Sequence, residues 1–306
     1  MHSDALLGGF NPEALPVASP LRFPDGAHFR IEIPSIEGPK VLSAALDEAK
    51  KRGVTINRVS QGSGAMLLTE SELREMSKIA YDAGLEISLF IGPREEWGVG
   101  AMSRAPEGAV LGGSVRGMRQ LRYAVDDALR AFECGIRGML IADLGLLQVL
   151  SQARAKGQVP SDAIFKVSAM KAPSNPATIK LLESIGGDTI NLPTDLTLKE
   201  LSEMRDATSL PLDLYIEAPD SLGGVVRGNE LADLVEISSP IYVKFGLRNS
   251  RGIYPSGMHL ENDAIAFARE KVRRAEISLE WLKRSGKPFT QSKPGATGLG
   301  IPKPSN

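Results

Sequence analysis

The side chains in this sequence that could do chemistry are charges placed where charge is costly. Glu32 lies within FRIEIPS (29–35), Lys166 within IFKVSAM (164–170), Glu217 within LDLYIEA (212–218) and Lys244 within IYVKFG (241–246). Asp143 follows the apolar run IRGMLIA (136–142). A lysine stripped of water loses its proton and can attack a carbonyl, whereas a charged one stabilises developing negative charge. Glu32, Asp143 and Glu217 together would suit Mg or Mn, because hard divalent cations take oxygen ligands. The plainer reading is structural: an inward lysine and an inward carboxylate pair because an unpaired buried charge costs several kcal/mol. Asp143 also has a plain reading, as the N-cap of the helix that starts in DLGLLQVL.

A second group of residues suits an anion. Arg58, Arg94 and Asn191 fall at the ends of apolar runs. Gly223 and Gly224 follow Glu217, with Arg227, Arg248 and Arg251 close behind. A glycine pair lets backbone amides approach a phosphate or carboxylate, and arginine adds charge-assisted bonds. A flexible turn explains the glycines equally well. The expected substrate is a small anionic molecule.

Other chemistries find no residues. No GxSxG, HExxH or Walker A pattern occurs, and the histidines at 2, 28 and 259 show no metal-ligand spacing. The single cysteine, Cys134, excludes an intramolecular disulfide and any cysteine-rich cluster, which fits a reducing cytoplasm. The net charge of −1, from 36 basic and 37 acidic residues without a basic block, gives no reason to expect nucleic acid or a membrane surface as partner. The opening MHSDALLGGFNPEALP lacks the basic start and long apolar run of a signal peptide, and no stretch approaches a membrane span.

Positioning these residues is the work of a repeating pattern. The apolar runs above, with TINRVS (55–60), EISLFIG (86–92) and DTINLP (188–193), read as short strands. Amphipathic stretches such as KVLSAALDEAKKRG and TESELREMSKIAYDAG separate them. Thr69 with Glu72, and Thr197 with Glu200, are capping boxes; Gly53, Gly84 and Gly186 mark helix ends. Eight strand-then-helix units predict an α/β fold, a single (β/α)8 TIM barrel over 29–285, with sites at the C-terminal ends of its strands. An open doubly wound sheet is the competing arrangement. Strand alternation aims Lys166, Ser168, Tyr242 and Lys244 inward, along with Asp213, Tyr215 and Glu217. Residues 1–28 read as an irregular N-terminal extension wrapping the barrel bottom. Residues 286–306 read as an extended tail, either disordered or laid on a neighbouring subunit of a homo-oligomer. The stretch 93–117 is long for a strand–helix connection and reads as a lid or pocket wall.

Several segments resemble the U32 peptidase (collagenase-like peptidase) family. MLIADLGLL looks like that family's strand ending in Ala-Asp and a glycine. The run FKVSAMKAPSNPATIKLLESIGGDTINLPTDLTLKELSEM is similar to its strand-five to helix-six region, and DLYIEAPDSLGG lies where it places its signature strand and loop. The likeness spans about residues 29–230. The family has a histidine where this chain has Glu217 and cysteines around the place of Ser221. The resemblance implies the barrel, and hydrolysis of an amide or peptide-like bond. Glu217 would then be the general base, Asp143 would orient water or a metal, and Lys166 or Lys244 would stabilise negative charge. The alternatives are a lyase or aldolase using an interior lysine or a carboxylate-bound metal, and a non-catalytic binding barrel.

Overall fold

The strands are β1 (Phe29–Pro34), β2 (Arg58–Gln61), β3 (Glu86–Phe90), β4 (Gly138–Ile141), β5 (Ile164–Val167), β6 (Thr189–Asn191), β7 (Leu212–Glu217) and β8 (Ile241–Phe245). All pairs are parallel, and β8 closes on β1 through the register Phe29↔Ile241 to Glu32↔Lys244. The computed structural model describes residues 14–171 and 173–304. The signal-peptide reading of the first residues lies outside them.

Helices α1 (Pro39–Arg52), α2 (Glu70–Asp82), α3 (Gly117–Glu133), α4 (Leu144–Ala155), α5 (Pro176–Ser184), α6 (Leu198–Asp206), α7 (Leu231–Ser238) and α8 (Glu261–Arg284) form the outer layer. This is the (β/α)8 barrel that the alternation predicts. Thr69–Glu72 and Thr197–Glu200 both form full capping boxes, fixing where α2 and α6 begin. The outward sides of the strands, such as Ile31, Ile33, Val59, Ile87, Leu214 and Val243, are fully buried under the helices. Aliphatic residues outside leave the polar residues of the same strands nowhere to point but the barrel interior. Among the described residues, no helix is long and apolar enough to cross a membrane.

The tail after α8 departs from the expectation. It is neither disordered nor extended away from its own chain. It runs under the N-terminal ends of the strands and floors the barrel. Ser292 N donates to Phe29 O, Gly295 N to Gly84 O (2.8 Å) and Lys303 N to Gly135 O (2.8 Å). Gly84 is needed for that approach, since a Cβ there would lie 2.7 Å from Gly295 N. The cause is polar: Arg30, Asn57 and Glu86 face this end and take their partners from the tail. Arg30 donates to Ser292 Oγ, Thr297 O and Gly298 O, Asn57 Nδ2 to Ser292 O, and Gly300 N donates to Glu86 Oε2. The described part of the N-terminal extension joins the same floor, with Phe23 edge-on to Tyr242 and Arg30 stacked 4.0 Å from the Phe23 ring.

Candidate active site

A connected set of charges fills the barrel. The Glu32 carboxylate on β1 is its centre, fully buried. Oε2 accepts from Arg58 Nε at 2.7 Å, and Oε1 accepts from Ser60 Oγ at 2.7 Å. Lys166, reaching across from β5, donates to both oxygens. Lys244 stands 3.7 Å from Oε1, donates to Asn191 Oδ1 and lies 4.1 Å from the centre of the Tyr215 ring. Asn191 is held in turn by its bond to Val167 O (2.5 Å).

Below this level Arg58 spans the interior. It pairs with Asp213 and approaches Glu86 at 3.5 Å, while its guanidinium covers the Tyr242 ring at 3.4 Å. Thr189 Oγ1 donates to Asp213 Oδ2 at 2.7 Å. Tyr242 Oη accepts from Arg30 (3.0 Å) and donates to Glu86 Oε2 (3.1 Å). The interior thus holds the bases Arg30, Arg58, Lys166 and Lys244 against the acids Glu32, Glu86 and Asp213. The bases exceed the acids by one if every group is charged.

The electrostatics relieve that surplus at Lys166. Burial pulls the Glu32 carboxyl up, but Arg58, Lys166 and Lys244 outweigh burial and hold it well below the usual carboxylate range. Arg58, opposed by burial, is held above its normal value by Asp213, Glu32 and Glu86. Burial and repulsion from Arg58 bring Lys166 down to about 7, against the pull of Glu32. Lys244 is also lowered by burial, with Glu32, Asp213 and a hydrogen bond to Lys166 opposing that fall. The Glu32 carboxylate thus stays ionised, while burial weakens the hold of both Lys166 and Lys244 on their protons.

The loop after β8 crosses over the upper end of this network. Tyr254 Oη and Ser35 Oγ are 2.6 Å apart, and Ser256 N donates to Ser63 Oγ at 2.7 Å. Ser35 adopts φ 62° at the end of β1, a left-handed conformation that a serine takes only at some cost. Gly62 leaves room for the Tyr254 ring, whose atoms would lie 2.3 Å from a Cβ there.

Of the residues expected at the site, Glu32, Arg58, Lys166, Asn191 and Lys244 come together, and the others do not. Glu217 is turned away. A bulge between Tyr215 and Glu217 shifts the β7–β8 register, so Tyr215 stands opposite the inward Lys244 but Glu217 opposite the outward Phe245. One extra residue reverses the alternation on which the inward assignment rests. The Glu217 carboxylate accepts from Arg248 N (3.0 Å) and faces Arg274 on α8. Asp143 caps α4 by accepting from Leu146 N and ties down the long 93–117 connection by accepting from Val115 N, both at 2.9 Å. That connection forms three short 3₁₀ turns beyond the C-terminal end of β3.

The expected cation site is dispersed for the same reasons, with Asp143 in a cap, Glu217 outside and Glu32 caged by bases. Among the described residues, no group of three His, Cys, Asp or Glu side chains is placed to hold a metal. The anion-loop reading also fails at the glycines. Gly223 N donates to Asp220 O and Gly224 N to Pro219 O, both at 3.1 Å, so the two amides close a turn. Arg227 is spent on Glu230 and Leu196 O, Arg251 pairs with Asp263, and exposed Arg248 flanks Gly224. Arg94 stacks on Phe90 and Trp97 and donates to Gly62 O and Glu96. Arg30, Glu86 and Tyr254 were not among the expected site residues. The strand period does carry a signal for the first two, since Arg30 alternates with Glu32 and Glu86 with Ser88.

No family model matches the chain, and no curated protein matches it. Solved structures similar to it include a U32 peptidase, Mk0906, at 18% identity over 65% of this chain and 73% of that one (TM-score 0.42). The YdjI aldolase from Escherichia coli is similar at 14% identity over 85% and 91% (TM-score 0.46). A Rubisco-like protein from Rhodopseudomonas palustris is similar at 11% identity over 85% and 65% (TM-score 0.50). At these identities the likeness is one of barrel fold.

Proposed function

We propose that the protein is a lyase or aldolase acting on a small anionic carbonyl compound through a Schiff base on an interior lysine. The observation that carries this is the Lys166–Glu32–Lys244 cluster, two lysines on one carboxylate inside a desolvated barrel. Burial and a second cation are the two features that lower a lysine's proton affinity enough to make it nucleophilic near neutrality. Lys166, at about 7, supplies the amine. Its attack on the substrate carbonyl gives a carbinolamine, and uptake of one proton with loss of water leaves an iminium that can accept the electron pair of a breaking carbon–carbon bond. Lys244, beside it on the same carboxylate, attracts the substrate's anionic group and balances the charge that develops. The loop held by Tyr254–Ser35 and Ser256–Ser63 is the element that must lift to admit substrate.

The hydrolase alternative loses its assigned base, because Glu217 lies on the helix side of β7. The deciding experiment is borohydride reduction in the presence of 2-oxo acids and short aldehydes, pyruvate and glycolaldehyde among them, followed by peptide mapping. The expected result is a covalent adduct on the Lys166 peptide, absent from Lys166→Met. Adduct on surface lysines alone would overturn the proposal.

A further inference from the structure

The long connection after β3 is folded inside out, with a carboxylate within and its aliphatic side chains without. Glu95 is buried in it, where Ser103 Oγ donates to Glu95 O and Arg116 Nη1 lies 3.1 Å from Glu95 Oε1. Gly100 closes against that carboxylate, since a Cβ there would overlap Glu95 Oε1. The turns Met102–Arg104 and Pro106–Leu111 are stacked so tightly that a Cβ on Gly108 would meet Met102 O at 1.8 Å. Val99, Met102, Val110 and Leu111 are all left exposed, Val99 at 94%. The same surface continues onto α3. A Cβ on Gly98 would lie 3.6 Å from Gln120 Nε2, so Val99 adjoins the first turns of that helix. Met118 (77% exposed), Arg119, Arg122 and Tyr123 form the solvent face there, opposite the buried Ala124, Asp127, Ala128 and Ala131. Exposed apolar side chains gathered in one place mark an interaction surface. The charge around them is lopsided. Between Val99 and Tyr123 the exposed charges are Arg104, Arg116, Arg119 and Arg122 against Glu107. Arg116 is shared with Glu95, which leaves Arg104, Arg119 and Arg122 facing that single acid. The near-zero net charge of the chain conceals this local excess.

We propose that this lobe is a membrane-docking surface, which seats its aliphatic side chains at the interface of a bilayer carrying anionic lipid headgroups. Aliphatic residues set among arginines suit a lipid–water boundary: the apolar area inserts, and the positive charge is drawn to the headgroups. A protein partner fits less well. Protein interfaces need shape complementarity, whereas Val99 and Met118 stand clear of their own neighbours and require no matching pocket in lipid. Docking brings the C-terminal end of the barrel to the bilayer surface.

Co-sedimentation of the intact chain with sucrose-loaded vesicles tests this. Vesicles of phosphatidylcholine alone are compared with an equal mixture of phosphatidylcholine and phosphatidylglycerol. The protein should bind the mixed vesicles at least tenfold more tightly than phosphatidylcholine, and added salt should release it by screening the arginines. Val99→Asp/Met118→Asp alters two highly exposed positions, so it should melt like wild type and lose at least tenfold in vesicle binding. Arg119→Glu/Arg122→Glu should lose the preference for phosphatidylglycerol. Val17→Asp, at a similarly exposed aliphatic residue outside the lobe, should change nothing. No binding to mixed vesicles, equal binding to both kinds, or binding that survives Val99→Asp/Met118→Asp would overturn the proposal. So would a concentration-dependent dimer, abolished by that variant, in a protein that ignores vesicles; the partner would then be a second copy of the chain. The readout is binding alone, so its outcome is independent of the lysine chemistry inside the barrel.

Discussion

Glu32→Gln is the perturbation that tests the interior network most directly. The substitution keeps the side-chain shape but removes the one charge that Arg58, Lys166 and Lys244 share. The buried interior would then hold four bases against two acids, Glu86 and Asp213. Removing one partner of a buried ion pair costs about 3–5 kcal/mol, because the remaining charges stay desolvated and uncompensated. For a chain of this length that corresponds to a fall of about 5–8 °C in Tm. Urea denaturation at pH 7 measures the cost, and calorimetry checks the shift in Tm. The double variant Glu32→Gln/Lys166→Met removes one acid and one base together. It should recover at least about 1 kcal/mol relative to the sum of the single changes, the coupling expected of groups in contact. Raising the pH to about 9 should shrink the Glu32→Gln penalty, since the unpaired lysines can then release their protons. A single variant within about 1 kcal/mol of wild type, with coupling under about 0.5 kcal/mol, would refute the claim that Glu32 organises the interior.

Two further outcomes are expected. Lys166 binds its proton less tightly in the folded chain, at about 7 against an ordinary value of 10.5, so between those values the unfolded chain holds more protons. Wild-type stability measured relative to Lys166→Met should therefore rise with pH across that window, by up to about 1.4 kcal/mol per unit; a flat difference would show that Lys166 titrates normally. Ending the chain after Phe289 removes the Arg30 partners Ser292, Thr297 and Gly298 and the Gly300 amide that serves Glu86. The truncated protein should lose more than about 3 kcal/mol by urea denaturation, and a loss below about 1 kcal/mol would mean that water replaces the tail without penalty.

The barrel was legible because its signals are local. Alternating aliphatic residues, Thr–Glu capping boxes and glycines at helix ends each depend on neighbours a few positions away. The same period placed Lys166 and Lys244 inside, since Phe165 and Val243 had to face the helices. Glu217 was misread because a bulge leaves no mark in composition: LDLYIEA alternates without interruption. The extra residue exists only in the register of β7 against β8, which two distant segments set between them. The tail was misread for a related reason. Its sequence has no periodicity, and its order comes from Arg30, Asn57 and Glu86, charges and amides that no local pattern connects to residues 291–300.

By itself, then, the sequence determined eight strand-then-helix units with one apolar and one polar strand face, because burial of one face dictates the direction of the other; closure of the sheet was favoured there and is seen only in the structure. The tertiary structure alone decided which of those charges share a single carboxylate. Glu32 and Lys166 stand 134 positions apart in the chain and meet only across a closed barrel. Their chemistry follows from that meeting, since a lysine's proton affinity depends on what surrounds it and how little water does.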